Sequence, residues 1–261
     1  MNYRHSYLVN FQYLGFRLHG WQKQPKLKTV HAFVDKTLKF TCKDTRFKSV
    51  GVGRTDAKVS STDYYFQLFI DAPIQSIDFI REFNLNSPSD IRVMSVEVIQ
   101  DVNFNIIQHP KQKEYRYYFS FGQKNHPYCA PLLACFLNNL DIDVMKTGAR
   151  LFQGTHNYKH YCTKPSLETK VVRTIDSCVI HINTDLQASF FPKESYVLVI
   201  KGEGFLRNQI RLIMGALVEL GKGTCTLKDI QNSLEPDNNL DVLKTIAPAS
   251  GLHLHKVVFK L

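Results

Sequence analysis

The segment Gly51-Val-Gly-Arg-Thr-Asp-Ala-Lys-Val-Ser60 is the most informative stretch of this chain. It places one carboxylate, Asp56, two residues after an arginine and among small residues, with glycines near its start. Glycine permits backbone conformations and close approaches to a ligand that other residues do not. A polar turn between a basic segment and an alternating, strand-like run suits a catalytic loop, since functional residues concentrate on loops held by a scaffold.

Asp56 also has a structural interpretation. An aspartate in a glycine-containing turn usually accepts hydrogen bonds from its own backbone or caps a helix. Arg54 and Asp56 are two residues apart, so they need not pair and each can face a different partner. The segment alone leaves both interpretations open.

The composition favours a large core and a nucleic-acid partner. Of 261 residues, 44% are hydrophobic, and 33 Lys and Arg outnumber 23 Asp and Glu, which gives a formal net charge of +10. Phosphates attract such cations, and the 12% aromatic residues offer rings on which bases stack. A basic protein without a nucleic-acid partner is the alternative on charge alone.

Neither secretion nor membrane insertion is predicted. Residues 1–16 carry Arg4, His5 and Asn10 and lack the apolar core of a signal peptide. The apolar run at 212–218 is far too short to span a bilayer. We therefore expect a cytoplasmic protein without membrane association, whose six scattered cysteines are reduced.

A metal site is an alternative to weigh at His156, His160 and Cys162. The two histidines have helical spacing, but the cysteine follows only two residues later and no fourth ligand is evident. We expect no metal. A metal-dependent nucleic-acid enzyme using these three residues is a rival function that metal analysis would test.

Strand-like and helical patterns mix along the chain, which predicts an α/β or α+β fold. Alternation predicts strands at 6–13, 64–69, 91–99, 114–121, 171–183, 195–201 and 252–261. Helical periodicity predicts helices at 29–40, 77–83, 143–151 and 207–220. The expected join lies at 105–113, so we predict an N-terminal half at 1–107 and a C-terminal half at 108–261.

The helix predicted at 207–220 has the clearest pattern. Its apolar residues recur with helical spacing and predict one buried stripe, at Ile210, Ile213, Met214, Leu217 and Val218. Arg207 and Arg211 are four residues apart and are predicted to share another face near the helix N-terminus, where the dipole favours anions. They therefore predict a carboxylate or phosphate partner, with solvated surface as the alternative.

Short motifs then occur in a fixed order from end to end. They are Tyr13-Leu-Gly15, Gly20-Trp-Gln22, Gly53-Arg-Thr-Asp-Ala57, Asn84 with Pro88 and Asp90-Ile91, Tyr115-x-Tyr117, Gly154-Thr-His156, Gly204-Phe-Leu-Arg-Asn208 with Ile210-Arg211, and Ala247-Pro-Ala249 with Gly251-Leu252. Each motif is weak alone, but their order and spacing resemble the tRNA pseudouridine synthase A family.

The resemblance implies an isomerase that converts uridine to pseudouridine in tRNA, in the anticodon stem-loop at nucleotides 38–40. This reaction breaks the uracil N1–C1′ bond, turns the base and rejoins it through C5, without cofactor or metal. The resemblance also implies two similar mixed-sheet halves with helices on one side, an active cleft between the halves, and a homodimer.

By the same resemblance, Asp56 is the nucleophile, attacking either the ribose C1′ or the uracil C6. Arg211 is its charge partner and Tyr115 the ring that packs on the uracil. Arg54 helps to hold the flipped nucleotide, and Leu252 closes the apolar side of the pocket. A plain core role is the alternative for Tyr115 and for Leu252.

Substrate contacts are assigned to basic residues, which bind phosphates in a salt-dependent way. These are Lys58 and Arg207, with Lys23, Lys26 and Lys28 as further candidates, and solvated surface is the alternative for each.

The chain departs from the family's pattern at several positions. The loop reads Asp-Ala-Lys58-Val-Ser60 where the family usually has Asp-Ala-Gly-Val-His. Leu14 replaces an acidic residue, and Ile107 stands where an arginine is usual. Asp56, Tyr115 and Arg211 are retained, so we expect activity. The alternative function is a catalytically impaired tRNA-binding homologue.

Overall fold

The computed structural model describes residues 3–43, 45–101, 103–236 and 245–259. The strands in these residues, β1 to β11 in chain order, are His5–Tyr13, Phe47–Gly51, Ser60–Ile70, Ile91–Val98, Pro110–Phe121, Ala134–Phe136, Gly154–Asn157, Val172–Ile175, Ser177–Ile182, Tyr196–Gly202 and Leu252–Phe259. The α-helices, α1 to α5, are Val30–Thr41, Ser76–Asn86, Ile142–Arg150, Gln209–Gly221 and Leu227–Ser233. This mixture confirms the predicted α+β class.

The described residues group into two compact units. The first comprises 3–111 together with 253–259, and the second comprises 112–236 together with 245–252. The last strand therefore packs with the first unit, although it lies at the other end of the chain. The division into halves at 1–107 and 108–261 stays a prediction.

The first unit is organised around β1, which lies between β3 and β4 and is antiparallel to both. β2 pairs antiparallel with the C-terminal part of β3, whereas β11 pairs parallel with its start, His253 opposite Ser60. Every side chain from Tyr7 to Phe11 is buried, so β1 is a central strand covered on both faces. α2 packs against β4, and α1 packs against α2.

The helix α1 shows how local sequence sets an element in this unit. Thr29 has an extended backbone, and its hydroxyl accepts a hydrogen bond from the Ala32 N–H, so it caps the helix N-terminus. Val30, Val34 and Leu38 recur every four residues and are fully buried. The helix predicted at 29–40 is confirmed within one residue at each end.

The second unit is organised around β10, which is antiparallel to β5 on one side and to β9 on the other. β6 pairs parallel with the end of β5, and β7 and β8 form a separate two-stranded ribbon. α3 packs against α4 and against β9.

One strand prediction in this unit was wrong. The run at 171–183 was predicted to be a single strand, but it forms β8 and β9 with a break at Asp176. The backbone N–H of Asp176 donates to the carbonyl oxygen of Lys201 over 2.8 Å at the break. β8 pairs with β7 and β9 pairs with β10, so the break transfers the chain from one sheet to the other.

The prediction for the helix at 207–220 was wrong at its start. Asn208 has a φ of 59°, which lies outside the right-handed helical region, so α4 begins at Gln209. Arg207 precedes the helix and does not share a helix face with Arg211. Burial also extends around α4 beyond the single predicted stripe, because Leu212, Ala216 and Leu220 are buried too.

None of the helices within the described ranges is long and apolar enough to cross a membrane.

Candidate active site

The segment 51–60 leads from β2 to β3 and has buried flanks with an exposed middle. Val52 and Val59 are each 1% exposed, whereas Arg54 and Lys58 are exposed and Asp56 is partly buried. The Val59 N–H donates to the carbonyl oxygen of Asp56 over 3.3 Å, which closes a turn. The carboxylate therefore stands at the surface of the first unit between two apolar anchors.

Hydrogen bonds fix the residues just before the carboxylate. The Thr55 hydroxyl lies 2.8 Å from the hydroxyl of Tyr13, and the Thr55 carbonyl accepts from the Trp21 N–H over 3.2 Å. The Tyr64 hydroxyl donates to the carbonyl of Gly53. Tyr13 ends β1 and Tyr64 lies in β3, so two strands of the sheet position the loop.

Two glycines allow the segment 13–21 to lie directly against this loop. A Cβ on Gly15 would stand 1.9 Å from the carbonyl oxygen of Val59, and one on Gly20 would stand 2.3 Å from that of Thr55. Gly20 also has a φ of 76°, which side-chain-bearing residues rarely adopt. The opposing atoms are backbone atoms, so they cannot move aside by a rotamer change. In the sequence these glycines were only motif members; the structure shows that they support the loop.

Ser60, which stands where the family usually has histidine, has a structural role. It is 3% exposed, and its hydroxyl oxygen accepts a hydrogen bond from the Gly15 N–H over 2.9 Å. Ser60 therefore links the end of the loop to the segment 13–21, which also contacts the middle of the loop.

Lys58, which stands where the family usually has glycine, keeps a glycine-like backbone. Its φ is 67°, and its N–H donates to the carbonyl oxygen of Leu18 over 2.9 Å. A residue with a Cβ pays about 1–2 kcal/mol in this left-handed region. The loop therefore carries local strain at Lys58.

Replacing Lys58 with glycine tests this strain. We expect Lys58→Gly to leave the free energy of unfolding unchanged or to raise it slightly, because relief of strain offsets the extra entropy of glycine in the unfolded chain. Lys58→Ala keeps the strained φ and should be less stable than Lys58→Gly by about 1 kcal/mol. Urea denaturation measures both variants, and equal stabilities would contradict the strain.

In the second unit, Arg211 lies in the first turn of α4 and is partly buried. Its Nε–H donates to the carbonyl oxygen of Ala247 over 2.8 Å, and its Nη1 donates to Asn208 Oδ1 over 3.0 Å. The Ala247 N–H in turn donates to the Arg211 carbonyl over 3.1 Å. The segment that follows residue 244 therefore orients the guanidinium.

The Tyr115-x-Tyr117 pair on β5 divides into two roles. Tyr115 is partly buried, and its ring meets Phe205 edge-on with centroids 5.3 Å apart. Tyr117 is fully buried, and its hydroxyl donates to the Pro248 carbonyl over 2.7 Å. Burial raises the pKa of Tyr117, which keeps this hydroxyl protonated. Tyr117 is a core residue that anchors the segment carrying Ala247.

The remaining predicted site residues lie in different settings. Leu252 is 5% exposed at the start of β11, and Arg207 is exposed in the turn before α4. Lys23 forms an ion pair with Asp35, whereas Lys26 and Lys28 are exposed.

Each unit brings part of the predicted site together. The first unit carries Arg54, Asp56 and Lys58 on one loop. In the second unit, residues 247 and 248 contact Arg211 and Tyr117.

The structure adds residues that sequence reasoning did not single out as site residues, namely Phe205 and Asn208. Both lie in the Gly204-to-Asn208 motif, so the likeness of this motif to the family's pattern could have indicated them. Across the described part of the chain, no group of three His, Cys, Asp or Glu side chains is arranged to hold a metal ion. His156 Nε2 instead lies 2.8 Å from the carbonyl oxygen of Gln153.

Comparison with known proteins decides the family. The tRNA pseudouridine synthase A of Shouchella clausii (strain KSM-K16) is 30% identical over 246 residues, which cover 94% of this chain and 90% of that protein. This chain belongs to the tRNA pseudouridine synthase A family. Further members resemble it over similar lengths: that of Lysinibacillus sphaericus (strain C3-41) is 30% identical over 96% of this chain and 98% of its own.

The tRNA pseudouridine synthase A of Dictyoglomus thermophilum (strain ATCC 35947 / DSM 3960 / H-6-12) is 28% identical, over 97% of this chain and 98% of its own. A family model described as tRNA pseudouridine synthase matches residues 149–260. Membership in the tRNA pseudouridine synthase A family confirms the family predicted from the motifs and, with it, the isomerase class of the enzyme.

Proposed function

We propose that this member of the family isomerises uridine to pseudouridine in tRNA with Asp56 as the nucleophile. One observation carries the proposal: a partly buried carboxylate stands on a loop whose backbone is fixed by β1, β3 and the segment 13–21. A group held in one geometry reaches the attack position without the entropy cost of searching for it.

The proposed reaction balances without a co-reactant. The Asp56 carboxylate forms a bond to the ribose C1′ or the uracil C6, and the N1–C1′ bond breaks. The base turns, the C5–C1′ bond forms, and the bond to Asp56 breaks, which releases the carboxylate. The proton leaves C5 while N1 gains one. Uridine and pseudouridine are isomers, so no electron or group is exchanged with a cofactor.

We assign Arg211 as the charge partner of the Asp56 carboxylate, because a guanidinium binds a carboxylate through two parallel hydrogen bonds. Its bonds to Ala247 and Asn208 support this role, since they hold the guanidinium in one orientation.

We assign Tyr115 as the ring that packs on the target uracil, supported by the edge-on contact of Phe205. Arg54 is exposed on the same loop as Asp56, which suits a residue that holds the flipped nucleotide. Lys58 and Arg207 are exposed and suit phosphate contacts. Leu252 closes the apolar side of the pocket.

We further propose the anticodon stem-loop, at nucleotides 38–40, as the target, a homodimer as the working assembly and the cytoplasm as the compartment. The family resemblance supports these three proposals. The net charge of +10 supports an RNA substrate, since binding releases counterions from the phosphates.

Purified protein tests the proposed function directly. Incubated with unmodified tRNA transcripts that carry tritium at uracil C5, it is expected to release tritium to water, because C5 loses its proton. Sequencing of the product should place pseudouridine at nucleotides 38–40. Binding of tRNA without tritium release would favour the alternative, a catalytically impaired tRNA-binding homologue.

Two of the departures from the family's pattern support activity over that alternative. The Ser60 hydroxyl accepts from the Gly15 N–H, and Lys58 adopts a positive φ that glycine adopts readily. Both residues make hydrogen bonds that hold the loop carrying the proposed nucleophile.

A further inference from the structure

We propose that Phe16 and Lys58 form a nucleotide subsite beside the catalytic loop. The Phe16 ring stacks on the base adjoining the target uridine, and the Lys58 ammonium group contacts a phosphate of that nucleotide. This subsite rests on the proposed function, because it binds another part of the same RNA.

Phe16 is a large aromatic side chain exposed at the tip of a tight turn. The Leu18 N–H donates to the Gly15 carbonyl over 2.7 Å, which closes the turn, and Phe16 remains 38% exposed. Turn tips usually carry glycine, proline or small polar residues. A ring in this place offers a surface on which a base can stack.

Contacts with Asp90 and Phe33 fix the turn that carries Phe16. Arg17 forms a two-pronged ion pair with Asp90, with Nη2 2.6 Å from Oδ1, and its guanidinium lies 5.0 Å from the centre of the Phe33 ring. The Leu14 N–H donates to the Asp90 carbonyl over 2.9 Å. Because the turn is fixed, stacking on Phe16 would order little backbone.

Lys58 connects this ring to the catalytic loop. Its ammonium nitrogen lies 5.8 Å from the centre of the Phe16 ring, and its N–H donates to the Leu18 carbonyl. The turn from Asp56 to Val59 contains Lys58, so the subsite begins two residues from the proposed nucleophile. A cation beside an exposed ring is the combination that binds single-stranded nucleic acid, through phosphate contact and base stacking.

Flipping of the target uridine exposes a neighbouring base that can stack on such a surface. When the target uridine leaves its stack, each adjoining base loses one stacking neighbour. The Phe16 ring replaces that neighbour, and Lys58 neutralises the phosphate. The competing interpretation is an internal cation–π contact of about 0.5–1 kcal/mol that only stabilises the turn.

Fluorescence of a base analogue distinguishes these interpretations. The probes are anticodon stem-loop RNAs of the tRNA isomerised by the parent protein, with 2-aminopurine directly 5′ or directly 3′ of the target uridine. Binding is measured in an Asp56→Asn background, so the RNA is not turned over. Stacking on Phe16 should quench one of the two probes.

Three variants in that background give the expected pattern. Phe16→Ala should lose the quenching and weaken binding by about 5- to 100-fold. Phe16→Trp should retain the quenching and the binding affinity. Lys58→Ala should weaken binding less and reduce its salt dependence. The matched control is Phe40→Ala, since Phe40 is 62% exposed on α1 and should leave quenching and binding unchanged.

The outcomes separate the subsite from the proposed function. If the parent releases tritium from tRNA but Phe16→Ala behaves like Phe40→Ala, the subsite is overturned and the function stands. If the parent releases no tritium from any tRNA, the proposed function fails and the subsite fails with it. Urea denaturation of Phe16→Ala shows whether a binding loss reflects unfolding.

Discussion

Asp56→Asn is expected to abolish uridine isomerisation, lowering the single-turnover rate by more than about 10⁴-fold, while folding and tRNA binding persist. The side-chain amide carries no charge and is a poor nucleophile. The hydrogen bonds described above for the loop are made by Thr55, Gly53, Lys58 and Ser60 and by the backbone carbonyl of Asp56, so asparagine at position 56 keeps them. Loss of activity should therefore not come from loss of loop structure.

Tritium release with enzyme in excess measures the chemical step, and a gel-shift titration with the same tRNA measures binding. Asp78→Asn is a matched control, because Asp78 is exposed on α2 and should leave both quantities unchanged. Full activity of Asp56→Asn would refute Asp56 as the nucleophile. Loss of binding equal to the loss of rate would indicate a role in holding RNA instead.

Gly20→Ala is expected to lower the free energy of unfolding by about 2–4 kcal/mol and the isomerisation rate by about 10²-fold. The φ of 76° contributes about 1–2 kcal/mol of strain, and the Cβ would stand 2.3 Å from the Thr55 carbonyl oxygen. The chain must shift there, next to Asp56, and a displacement of about 1 Å at a reacting group costs about two orders of magnitude in rate.

Gly204→Ala is the matched control for this change. A Cβ at Gly204 would meet no atom within 4 Å apart from those of its chain neighbours, so the free energy of unfolding should change by less than about 0.5 kcal/mol. Urea denaturation and tritium release report both variants. Similar effects of the two substitutions would contradict the close approach of the segment 13–21 to the loop.

Long periodic elements were predictable because their pattern repeats within the element itself. The predicted ends of β1, β4, α1 and α3 agree with the structure within one residue. β6 and β7 were missed, because three or four residues are too few to show a period. The joined prediction at 171–183 failed because β-type alternation continues across Asp176, where only tertiary pairing separates β8 from β9.

The boundary of α4 illustrates a different limit. Arg207 fits the helical spacing of the residues that follow, yet the left-handed Asn208 ends that pattern. The side chain of Asn208 bonds to Thr163 Oγ1 over 2.9 Å, and its Oδ1 accepts from Arg211. A partner 45 residues away thus holds the conformation, and local spacing carries no trace of it.

The order of motifs determined by itself the family, the enzyme class and the loop that carries Asp56, since these depend on which residue types follow one another. Only the tertiary structure decided what holds that loop. Thr55 meets Tyr13 from 42 positions away, and Gly15 and Gly20 matter because backbone faces them at distances that exclude a Cβ. The tertiary structure also showed that Lys58 and Ser60 form hydrogen bonds with the segment 13–21, and that the Lys58 side chain contacts Phe16. Contacts between distant segments depend on how the chain packs, and packing leaves no local pattern to read.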